Sequence, residues 1–108
     1  WENAAKIGTH LLEKLKLLQD LPIVSEVRGK GLMIGIELVD ANQNNLETMR
    51  TSTIVRLVKE RGILIGKISH AVDEPENIIF IAPPLILTLD EADRIFETLK
   101  DVLTSSNY

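Results

Sequence analysis

The chain has 108 residues, 44% hydrophobic and 26% charged, with a net charge of −4 and no cysteine. That size suits one domain with a modest core, and a mildly acidic balance with scattered basic residues lacks the footprint that a nucleic-acid backbone requires. Disulfides and thiolate metal sites are excluded, the apolar runs are too short for a membrane span, and no basic-then-apolar signal segment is present; a cytoplasmic protein with neither nucleic acid nor membrane as partner is expected.

The helical pattern begins at once. Ala4, Ile7, Leu11, Leu15 and Leu18 recur at three- and four-residue steps, opposite Lys6, Glu13 and Lys16, and predict an amphipathic helix ending before Pro22. A chain that opens inside a helix, without an initiator Met, is expected to be a piece cut from a longer one. The stretch PIVSEVRGKGLMIGIELV then alternates with period two, placing Leu32, Ile34, Ile36 and Leu38 on one face and Met33, Gly35, Glu37 and Val39 on the other. It predicts two strands joined by a glycine turn at Gly29 to Gly31.

The polar DANQNN segment reads as an exposed loop, and Ile54, Leu57 and Val58 mark a second helix from about Glu47 to Arg61, closed by Gly62. ILIG follows as a short strand, residues 67 to 77 read as a loop, and IIFIA is a strand stopped by Pro83 and Pro84. Thr88 and Glu91 form a capping box before a last helix that buries Ala92, Ile95, Phe96, Leu99, Val102 and Leu103. The order predicts an α/β protein of the α+β type, a small antiparallel or mixed sheet of about four strands covered by helices on one face. The whole of 1–108 is read as one domain.

The glycines of RGKGLMIG resemble a phosphate loop only in composition. A dinucleotide fingerprint needs a helix N-terminus after the glycines, and here a strand follows. His10 and His70 stand alone and read as solvated surface groups, and Ser25, Ser52 and Ser69 lack a nucleophile-elbow context. Asp90 and Glu91 favour the dipole of the last helix. Lys30, between two glycines, tempts as a Schiff-base nucleophile, but a turn lysine lacks the desolvating pocket that lowers such a pKa. Arg28 reads as structural, orienting the turn and pairing with an acidic neighbour.

Taken together and in order, ENAAKIGTHLLEKL, VRGKGLMIGIELV, RGILIGK and IIFIAPPLILTLDEADRIFETLKDVL resemble the C-terminal end of class III aminotransferases, over nearly the whole chain. The resemblance implies the small C-terminal domain of a fold type I enzyme that uses pyridoxal phosphate. In that family a lysine holds the cofactor as a Schiff base and an acidic residue partners its pyridinium nitrogen, both from a large domain absent here. It therefore implies no catalytic and no cofactor-binding residue in this chain, an isolated chain that neither binds pyridoxal phosphate nor transaminates, and as partners the large domain, a dimer mate, and small amine and keto acid substrates.

Two positions carry the implied substrate contacts. Family members acting on α-carboxylates place an arginine three residues before the first proline of the Pro-Pro pair, where this chain has Phe80. Phenylalanine cannot form a bidentate carboxylate clamp. The departure points away from ornithine-like specificity and toward amine, taurine or ω-amino-acid:pyruvate relatives. Some of these use a mobile arginine just after the third strand, and Lys67 in LIGK can supply a cation there. The competing expectation is a stand-alone ferredoxin-like sensor or regulatory module. It predicts a polar outer surface, whereas a small domain predicts an exposed apolar patch where its large partner docks.

Overall fold

Four stripes of branched side chains build the core. A computed structural model describes residues 2–30, 33–63, 65–69, 71, 73–81 and 88–105, with the side chains of residues 2–5 and 30 outside that description. Helix α1 (Glu2–Lys16) continues into a 3-10 turn (Leu17–Asp20) and buries Ile7, Leu11, Leu15 and Leu18 on one face, at the predicted spacing. Helix α2 (Thr48–Glu60) buries Thr51, Ile54, Val55 and Val58. It stops where Gly62 takes φ +86°, a left-handed conformation that glycine adopts without a Cβ penalty. Helix α3 (Leu89–Thr104) buries all six predicted apolar residues and Thr98 as well.

The strands β1 (Val24–Lys30), β2 (Met33–Leu38), β3 (Ile65–Ile68) and β4 (Ile78–Ile81) form one antiparallel sheet in the order β1-β2-β4-β3. Ile34, Ile36 and Leu38 of β2 point into the core as their alternation predicts. The helices contact one another and the sheet, α1 over β1 and α2 over β3 and β4. The buried row Ile65, Ile81, Ile34 shows that they cover a single face. The expected α+β architecture, one open sheet with helices on one side, is thus observed. No described helix is long and apolar enough to cross a membrane.

Three local expectations are corrected. Gly29 lies inside β1, paired with Ile34, and not in the turn. A Cβ there would come within 2.7 Å of Leu12 Cδ2, so a larger residue would require the Leu12 side chain of α1 to shift. The third strand runs two residues later than ILIG, because Lys67 and Ile68 pair with Ile79 and Ile78 and are not loop residues. At α3, Thr88 Oγ1 accepts from the Glu91 amide (3.1 Å) and donates to Glu91 Oε1 (3.0 Å), so the carboxylate closes on the hydroxyl and not on the Thr88 amide. Gly31, Leu32, His70, Pro83 and Pro84 lie outside the described residues.

The outer edge of β1 is guarded. The Val27 amide, which faces away from β2, donates to Gln19 Oε1 at 2.8 Å.

Candidate functional site

Side chains alternate across a pleated sheet, so residues paired in register share a face. One register row is Arg28, Gly35, Phe80 and Gly66; the next is Glu26, Glu37, Ile78 and Ile68. Both lie on the face opposite the buried row, which no described helix covers. Phe80 is half-buried there between two glycines. A Cβ on Gly66 would stand 2.7 Å from Phe80 Cε1 and closer still to Cζ, whereas one on Gly35 would meet nothing nearer than Ile78 Cγ2 at 3.7 Å. The ring therefore lies flat over β3 and leaves open floor above Gly35. Met33 and Ile68, 48% and 49% exposed, extend this surface as apolar patches.

Arg28 takes the structural role expected of it. Its guanidinium spans Glu37 at 3.1 Å and Glu26 at 3.3 Å, fixing the exposed end of the β1–β2 pair. Such exposed pairs each contribute little to stability, about 0–1 kcal/mol. Their effect here is to hold the cation beside the open floor.

Lys67 is elsewhere. Its register partner is Ile79, a fully buried residue, so Lys67 lies on the helix-covered face at the β3 edge. It lines a cleft of about 450 Å³ with Ser52, Val55, Arg56, Lys59 and Glu60 of α2. Its Nζ is bonded to Glu76 Oε1 at 2.8 Å. Glu76 is held firmly: its amide donates to Thr48 Oγ1 at 2.9 Å. The next residue, Asn77, is fully buried and exchanges two bonds with Leu38, its amide group donating to the Leu38 carbonyl at 2.9 Å and its carbonyl accepting from the Leu38 amide at 2.8 Å. Phe80 and Lys67 are thus on opposite faces and are not brought together among the described residues.

His10 is corrected from a lone solvated group to a partnered one. Its Nε2 lies 3.0 Å from Asp93 Oδ1 across the α1–α3 contact, and Lys14 Nζ reaches the same oxygen at 3.1 Å. The bond to His10 first, and that to Lys14 second, hold the Asp93 carboxyl below its ordinary value. Lys14 also lies 5.1 Å above the Phe96 ring. Glu76 and Asp93 are the residues that sequence reasoning missed, since each meets its partner through tertiary contact; Gly66 carried a signal, a glycine inside a strand run, that marks close approach without naming what approaches.

No group of three metal-ligating side chains occurs among the described residues.

Residues 1–103 match the sequence model of the family described as aminotransferase class-III. The chain belongs to the class III aminotransferases. It is 37% identical over 107 residues to a taurine–pyruvate aminotransferase of Bilophila wadsworthia, covering 96% of this chain and 24% of that protein. It is equally 37% identical over 102 residues to an ornithine aminotransferase of an Exiguobacterium species, covering 94% and 22%. A solved aminotransferase of Bacillus anthracis superposes with a TM-score of 0.82 at 35% identity, covering 94% of this chain and 23% of that one. The chain therefore spans about a quarter of the length of the relatives it matches.

Class III aminotransferases depend on pyridoxal phosphate, and the described residues of this class III chain do not fit that group. A cofactor lysine must be free to form a Schiff base in a desolvated place, with a carboxylate for the ring nitrogen and a phosphate cradle. Lys67 is engaged by Glu76 and Lys14 by Asp93. The RGKG glycines lead into β2 and not into a helix whose amides would meet a phosphate.

Proposed function

We propose that this chain is the small domain of a pyridoxal-phosphate-dependent aminotransferase that moves an amino group from an amine or ω-amino acid to a keto acid such as pyruvate. The cofactor, its lysine and its acidic partner belong to the large domain of the same polypeptide, and a dimer mate completes the enzyme. The isolated chain is inactive. A cytoplasmic setting accords with the absence of cysteine.

The observation that carries this reading is Phe80 on the uncovered sheet face. There an apolar ring stands in place of the arginine that clamps α-carboxylates in the ornithine-type relatives. Overall identity is the same to an ornithine and to a taurine–pyruvate relative, so the substrate class rests on this side chain. The exposed Met33 and Ile68 on that face favour a docking large domain over a stand-alone sensor. Lys67 is the cation offered to an anionic substrate end, and it serves as such when Glu76 releases it.

The test has two arms. The enzyme encoded by the complete reading frame is assayed with pyruvate against amine, taurine and ornithine donors, beside its Phe80→Arg variant. Alanine formation from amine or taurine, and a gain of ornithine turnover in the variant, are expected; ornithine preference in the unchanged enzyme overturns the substrate assignment. Separately, the 108-residue chain mixed with pyridoxal phosphate is expected to show no absorbance band of a lysine-bound cofactor. A stable band overturns the division of labour.

A further inference from the structure

A cleft of about 300 Å³ opens between residues 21–23, the first turn of α2 and the end of α3. Its walls are mainly apolar, with Leu21, Pro22, Ile23 and Leu103, and its one charged member is Arg50. Arg50 is half-buried, and its Nε is shut from solvent with no hydrogen-bond partner. It differs in this from the other described arginines. Arg28 pairs with Glu26 and Glu37, Arg56 with Glu60, Arg61 with Asp101, and Arg94 donates to the Arg61 carbonyl. The cleft at Arg61 contains Glu97 and Asp101, and that at Lys67 contains Glu60, whereas among the described residues no carboxylate lines the cleft at Arg50.

We infer that this cleft binds a small carboxylic acid with an apolar body, anchored by Arg50. The half-buried guanidinium of Arg50 has no counter-charge among the described residues, and its planar fork matches a carboxylate. Because Nε is closed to solvent, the acid meets the terminal nitrogens. Leu21, Pro22, Ile23 and Leu103 take its apolar part. The volume lies at the lower end of small-molecule sites, which selects a short branched or aromatic acid over a long chain. The site is independent of the transamination reading, since Phe80 and Lys67 take no part in it.

The experiment titrates the isotope-labelled 108-residue chain with benzoate and with benzamide, its uncharged isostere, and follows side-chain resonances. Saturable shifts with benzoate at the Leu21, Ile23 and Leu103 methyls and at the Arg50 guanidinium are expected. Benzamide should bind at least about tenfold more weakly, the effect of one lost charge-assisted hydrogen bond. Arg50→Met should weaken benzoate to the same extent. Equal binding of the two compounds, saturable shifts confined to another surface, or no saturable shift overturns the inference. Where Arg50→Met does not fold, the comparison of the two compounds on the unchanged chain decides.

Discussion

Replacing Gly66 with alanine should have opposite effects depending on whether Phe80 is present. Gly66 is in extended strand backbone, outside the left-handed region, so alanine fits its conformation and restricts the unfolded chain. That gain is about 0.4–1 kcal/mol. Against it, the new Cβ would lie 2.7 Å from Phe80 Cε1 and nearer to Cζ. The ring must retreat by about 1 Å or more, since Cζ is the nearer atom, to reach a contact distance of about 3.5 Å. It has somewhere to go, because the floor above Gly35 is open, so the cost is that of an unfavourable side-chain torsion with some overpacking, about 1–2 kcal/mol. The net effect in the unchanged background is a loss of up to about 1.6 kcal/mol. In a Phe80→Ala background the obstacle is gone and the same change should stabilise by about 0.4–1 kcal/mol. Urea unfolding of the four proteins of the cycle should therefore give a coupling energy of about 1–2 kcal/mol. A coupling indistinguishable from zero would show that the ring does not lie over Gly66, and the geometry described for the uncovered face would be wrong.

Two further predictions concern the helix α3. Thr88→Ala removes the hydroxyl that receives the Glu91 amide and should cost about 1 kcal/mol in chemical denaturation, while Thr88→Asp or Thr88→Ser should retain most of it. Asp93 has a carboxyl lowered in the folded chain by His10 and then Lys14, so its contribution to stability is fully present above the unfolded carboxylate value and is lost as pH falls through its lowered folded value. The stability difference between the unchanged chain and Asp93→Asn should accordingly shrink at strongly acidic pH, where the Asp93 carboxylate of the folded chain is protonated; a difference that persists unchanged there contradicts the clasp.

The helices were legible because each buries a stripe fixed by local periodicity, and the β2 alternation named Ile34, Ile36 and Leu38 as core for the same reason. What local pattern cannot carry is register. Lys67 looks like a loop residue by composition, and only its pairing with Ile79 makes it part of β3. The same register puts Lys67 under α2 and Phe80 on the opposite face, a separation invisible from the 12 positions between them. Gly29 illustrates the converse. Its place beside Lys30 and Gly31 suggested a turn, but it lies in β1 against the Leu12 methyls, which only the docking of α1 brings near. Glu76 and Asp93 were passed over because carboxylates in loops and helices are commonplace; what singles them out is a partner folded against them.

The Gln19 side chain on the Val27 amide has a consequence for solubility. Open antiparallel sheets have two edges at which a foreign strand can add, and runaway addition is how such sheets aggregate. At β1, an incoming strand would first have to evict Gln19 Oε1 from the amide it needs. That contact adds a cost to strand addition at β1 that an edge with all its amides free would not impose.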